Sequence, residues 1–172
     1  LAIFTDGTYY TTGFDLSSRY QGELLKIEKF EAGKTYTALY YDKASKSFYI
    51  KRFSFEVSDN SPVCFISSAK GSYLVELSED LHPQFEITFG GKNEFREPEK
   101  VDAEEFIAKK GINAKGKKVS AMDVKSVKFV EPLVKPEDAQ MTAEEPDTSD
   151  EGILSDDAPE TATDFDSEPT LF

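Results

Sequence analysis

The stretch AKKGINAKGKKV, residues 108–119, gathers Lys109, Lys110, Lys115, Lys117 and Lys118 around Gly111 and Gly116, with no carboxylate between Phe106 and Met122. Ammonium groups on flexible stems, spaced by glycines that let backbone N–H groups approach closely, suit a polyanion such as a nucleic-acid backbone. Phosphate contacts of this kind position a duplex without reading its bases. The competing reading is a lysine-rich loop kept in water for solubility. Other chemistry has little to build with. A hydrolase or metalloenzyme needs a nucleophile with a base, or clustered ligands, and the chain has one histidine and one cysteine. His82, in EDLHPQ, is expected in an exposed turn, and Cys64, in PVCFIS, as a small buried thiol in a strand. The GGKN run at residues 90–93 lacks the spacing and the hydroxyl residue of a phosphate-binding loop, so no ATP site is expected here. No catalytic and no metal-binding set is expected.

Charge divides the chain in two. The formal net charge is −13, yet all 20 Lys and Arg lie at or before Lys135, whereas 13 of the 33 acidic residues lie between Glu137 and Glu168. Residues 1–135 are therefore neutral overall and hold 20 of the 22 aromatic residues, so they can build a core. Residues 136–172 lack the apolar content for one and read as a disordered acidic tail. The expected domains are 1–135, folded, and 136–172, tail. A single cysteine forms no disulfide within one chain, no secretory leader is visible and no apolar run is long enough to span a bilayer. A reducing cytoplasmic setting without a membrane segment is the expectation. The chain starts at Leu1 inside a strand-like run and reads as a fragment.

The elements that must position the lysines are strands. LAIFTDGTYYTTGF reads as a hairpin on an Asp6-Gly7 turn, and ELLKIEKF as a strand or extended edge. Residues 35–55 give a second hairpin around a turn at 42–47, with Lys51-Arg52 as a bulge-like break in the alternation. A third strand-turn-strand unit is expected around Ala69-Lys70-Gly71, and PQFEITFGG is the clearest strand. The only helix candidate is EPEKVDAEEFI, whose DAEEF is worth one or two turns. The fold class expected is all-β, with irregular repeats of the kind that build propeller-like blades.

LAIFTDGTYYTTGFDLS, ELLKIEKF, ALYYDKASKSFYIKRFSFE, ITFGGKNEFREP and VDAEEFIAKKGINAKGKKVS, closed by VKFVEP, resemble the C-terminal domain of the A subunit of bacterial type II DNA topoisomerases, most of all topoisomerase IV. The resemblance covers residues 1 to about 135. It implies the last blades of a β-pinwheel whose basic rim binds and bends double-stranded DNA for a cleavage core elsewhere. It adds Lys51, Arg52 and Arg96 as further DNA-contact candidates. It also implies a parent ATP-dependent enzyme, located at the bacterial nucleoid, whose Mg²⁺ and ATP are bound outside this chain. The ATPase B subunit would be met through N-terminal parts. The glutamine- and arginine-rich box of gyrase is missing, as is the tyrosine-bearing cleavage domain; Arg19-Tyr20 has the wrong flanks to be an active-site pair. A non-enzymatic interaction domain whose acidic tail engages a basic partner is the alternative.

Overall fold

A computed structural model describes residues 1–13, 20 and 22–134. Eleven strands form three antiparallel sheets, and almost no helix is present among the described residues. The first sheet holds β1 (Ala2–Phe4), β2 (Thr8–Tyr10), β3 (Leu24–Ile27) and β6 (Val63–Cys64) in the order β3-β1-β2-β6. The Asp6-Gly7 hairpin forms as expected: Gly7 takes φ 77° and the Asp6 carboxylate accepts the Thr8 N–H at 2.9 Å. β3 is an edge strand, as its imperfect alternation suggested.

The second sheet, in the order β10-β5-β4-β7, is built on the hairpin of β4 (Tyr36–Asp42) and β5 (Ser47–Phe53), flanked by β7 (Tyr73–Ser78) and β10 (Lys117–Lys118). Its register runs unbroken from Tyr36 opposite Phe53 to Asp42 opposite Ser47, so Lys51-Arg52 is no bulge. The third sheet pairs β8 (Gln84–Phe89) with β9 (Glu99–Asp102) on one side and β11 (Val124–Val130) on the other. The expected helix over residues 97–107 is split: Glu99–Asp102 is β9, and DAEEF supplies a single turn, α1 (Ala103–Phe106), capped by the Asp102 carboxylate on the Glu104 N–H at 2.8 Å.

The sheets share two cores. Tyr36, Ala38 and Phe53 of the second sheet face Ile3, Tyr9, Phe55 and Phe65, and the rings in this group meet at centroid distances of 4.5 to 6.4 Å. Leu39 and Ile50, on its other face, pack on Phe85, Ile87, Phe89 and Val127 of the third sheet. The second sheet is therefore covered on both sides, which explains the run of four buried residues from Ile50 to Phe53.

Three further expectations need correcting. The unit around residues 69–71 is a crossover between sheets, because β6 pairs with β2 while β7 pairs with β4. Cys64 is exposed, since β6 is a two-residue strand at the edge of its sheet. His82 is mostly covered, its side chain 11% exposed and Nδ1 2.6 Å from a Glu104 carboxylate oxygen. The border at residue 135, the acidic tail and Arg19 lie outside the described residues. Among the described residues no helix is long and apolar enough to cross a membrane, and no cluster of three or more His, Cys, Asp or Glu could hold a metal ion.

Candidate nucleic-acid interface

The lysine stretch is laid along the open edge of β5 and stapled at both ends. The Lys110 N–H donates to the Arg52 carbonyl at 2.8 Å, Lys117 and Lys118 pair with Ile50 and Tyr49, and the Val119 N–H donates to the Phe48 carbonyl at 2.9 Å. From Arg52 to Phe48 the edge runs about 13 Å, roughly four phosphate rises along one DNA strand. Two apolar anchors of the segment sink into opposite cores: Ile112 joins Tyr36 and Phe53, and Val119 joins Leu39 and Ile50. Gly116, at φ 89°, lies so close to β5 that a Cβ would collide with the Ile50 carbonyl oxygen. No other residue type fits there.

The five lysines are thereby placed on one ribbon in different states. Lys110 and Lys118 are exposed and meet no carboxylate among the described residues. Lys109 Nζ donates to the Gly33 carbonyl at 2.9 Å, and Lys117 Nζ to the Phe106 carbonyl at 3.1 Å while lying 3.8 Å from the Phe106 ring centroid. Lys115, half exposed, reaches Asp42 at 2.9 Å and sits 4.6 Å from the Tyr49 ring centroid. Its carbonyl accepts the Tyr40 hydroxyl.

Asp42 is the anchor that sequence reading missed. Fully buried at the turn between β4 and β5, it accepts the Ala44 N–H at 3.1 Å and the Ser45 and Ser67 hydroxyls at 2.7 Å each. The Lys115 ammonium, chiefly, with these donors, outweighs burial and holds its carboxyl well below the usual carboxylate range. The local signal was present, since an Asp opening a polar turn often bonds the backbone two residues on. Its partnership with Lys115, far along the chain, had no local signal.

Lys51 is not on this surface. Only 3% exposed, its ammonium donates to the Phe65 and Ile112 carbonyls at 2.6 and 2.5 Å, and burial lowers its pKa to about 8. A strand cation looks accessible when one sheet face is assumed wet; here both faces are covered. Arg52 is 9% exposed, and its Nε is buried without a hydrogen-bond partner among the described residues. Arg96 is exposed, its guanidinium carbon 5.2 Å from the Phe89 ring centroid. Of the three secondary candidates, only Arg96 is open to a backbone phosphate in this conformation.

Replacement of Lys51 by Met should leave duplex DNA affinity within about twofold of the parent. It should also remove a pH dependence. A Lys whose folded pKa is depressed to about 8, below its unfolded value near 10.4, makes the folded state gain stability as pH rises between those values. From pH 8 to 9.5 the parent should gain about 1.5 kcal/mol relative to Lys51→Met in urea titrations. A constant difference would show that the amine is not buried as described.

The described residues form an all-antiparallel domain with a lysine-edged strand. The chain belongs to the topoisomerase C-terminal domain family of Bacteroidota, whose family model matches residues 1–131. No curated protein and no solved structure gives a match.

Proposed function

We propose that this domain serves the A subunit of a type II topoisomerase, of the topoisomerase IV kind, by binding and bending duplex DNA without sequence preference. Its three antiparallel sheets, each completed by strands distant in sequence, are compatible with blades of a β-pinwheel. The observation that carries the DNA reading is the lysine ribbon held rigidly on β5 by backbone pairing, Ile112, Val119 and the Asp42 anchor. A loop kept only for solubility has no need of such fixing. Cleavage, ATP hydrolysis, Mg²⁺ binding and contact with the ATPase B subunit belong to other parts of the enzyme, at the nucleoid.

The test is fluorescence anisotropy of the chain with two unrelated duplexes of equal length. Equal affinities are expected, with log K falling linearly in log salt by ~0.9 for each phosphate contacted. Removal of residues 136–172 should raise the affinity, because a tethered polyanion competes with and repels DNA. A marked preference for one duplex, or no binding even at low salt, would reject the proposal. Loss of a basic protein partner on truncation, without a gain for DNA, would favour the interaction-domain reading.

A further inference from the structure

We propose that Phe95 is a wedge that inserts between base pairs of the bound duplex and helps to bend it, an inference that rests on the DNA reading above. Phe95 is 85% exposed, and among the described residues no aromatic ring packs against it. Exposure alone would say little, since single apolar side chains are common at surfaces. The loop that carries this ring is what sets it apart. Residues 90–96 form a tight turn in which the Asn93, Glu94 and Arg96 N–H groups donate to the Gly90, Gly91 and Asn93 carbonyls at 3.0, 3.3 and 3.0 Å. The Gly90 N–H donates to the Asp123 carbonyl at 2.9 Å, Glu94 pairs with Lys125 at 3.0 Å, and Arg96 lies over the Phe89 ring. The ring thus stands in water on a hydrogen-bonded turn.

Its surroundings suit a duplex. Lys92 and Arg96, both exposed, stand on either side of the ring in sequence, placed to hold phosphates flanking an opened base step. Of the carboxylates around the turn, Glu94 is paired with Lys125, while Glu97 and Asp123, whose carboxylate lies beside Gly91, have no ion pair among the described residues. The turn is tied to the chain just beyond the lysine ribbon: the Asp123 carbonyl, which accepts the Gly90 N–H, lies five residues after Lys118. Apolar side chains flanked by cations are the devices with which architectural proteins unstack one step and kink DNA while phosphate contacts supply the affinity. The wedge would explain how a ribbon that only holds phosphates could also bend the duplex.

The chain has no tryptophan, so Phe95→Trp introduces a single indole that can be excited selectively, to the red of the eight tyrosines. With the full 172-residue chain, a mixed-sequence duplex should quench that emission by half or more at saturation. Inorganic polyphosphate, which can occupy the lysines but has no bases to stack, should quench it by less than a tenth. In an end-labelled duplex read by energy transfer, Phe95→Ala should keep its affinity within about threefold and lose most of the bend. A duplex bound by anisotropy with no quenching beyond that of polyphosphate, or an undiminished bend with Phe95→Ala, overturns the wedge and leaves the DNA reading standing. Failure of the parent chain to bind any duplex rejects both. Emission that shifts with protein concentration alone would assign the ring to contact between copies of the chain and also overturn the wedge.

Discussion

Replacing Lys109, Lys110, Lys115, Lys117 and Lys118 together by glutamine is expected to lower duplex affinity by about 100-fold or more near 0.1 M salt, equally for every sequence. Each ammonium-phosphate contact that releases a counterion contributes roughly one decade of affinity at that salt, so Lys110 and Lys118, the two of the five whose ammonium groups bond no partner among the described residues, account for about 100-fold by themselves. Lys109, Lys115 and Lys117 must first leave or share partners within the chain, and they should add less per residue. The double variant of Lys110 and Lys118 should therefore reproduce most of the loss, with a log K against log salt slope flatter by ~1.8. Unchanged affinity and slope in the five-fold variant would reduce the ribbon to a solvated edge.

Replacing Asp42 by Ala should cost about 3 kcal/mol of stability at pH 7, a fall of about 10 °C in melting temperature for a domain of this size. The change strands two hydroxyls and an N–H that now share one buried carboxylate, and it releases Lys115 from the sheet. The pH dependence has a definite sign. The folded-state value of Asp42 is depressed below the ordinary value near 4, so its contribution is complete above about pH 5 and is lost as pH falls toward the folded value. The gap between parent and Asp42→Ala should accordingly narrow from pH 5 down to pH 2. Glu28 acts in the same direction: burial opposes its ionisation, but hydrogen bonds from Tyr36, Lys26 and Lys34 together hold it at about 2. A loss below about 1 kcal/mol at pH 7, or a gap independent of pH, would mean that Asp42 does not anchor the turn.

Local chemistry wrote much of this fold into the sequence, and tertiary pairing wrote the rest. Asp6-Gly7 forces its hairpin because glycine alone takes the positive φ freely, and the aromatic and β-branched run from Tyr36 to Phe53 declares two strands. Alternation likewise marks Phe85, Ile87 and Phe89 as the inward face of β8. Which strands become neighbours is another matter. Val63 and Cys64 of β6 join a sheet begun by the hairpin that opens the chain, and no pattern in VCFIS says so. Lys51, offered as a contact by the resemblance alone, shows a related limit: periodicity tells that a strand has two faces, but only the packing of Phe65 and Ile112 shows that the Lys51 face is roofed. The lysine stretch itself was visible from composition. Its attachment to β5, and the Asp42 anchor beneath it, depend on contacts between segments far apart in the chain, which charge and spacing do not encode.

The claim that DNA meets the β5 edge is tested most directly by following backbone amide signals of the isotope-labelled chain during titration with a short mixed-sequence duplex at low salt. The account predicts that shifts concentrate on residues 108–119 and on the adjoining turns at 90–96 and 120–125, and that added salt reverses them. The groove between β3 and β7, a cavity of about 550 Å³ lined by Leu25, Val75, Leu77 and Phe129, should stay silent. Shifts centred on that groove, or a duplex bound with the lysine ribbon unperturbed, would contradict it.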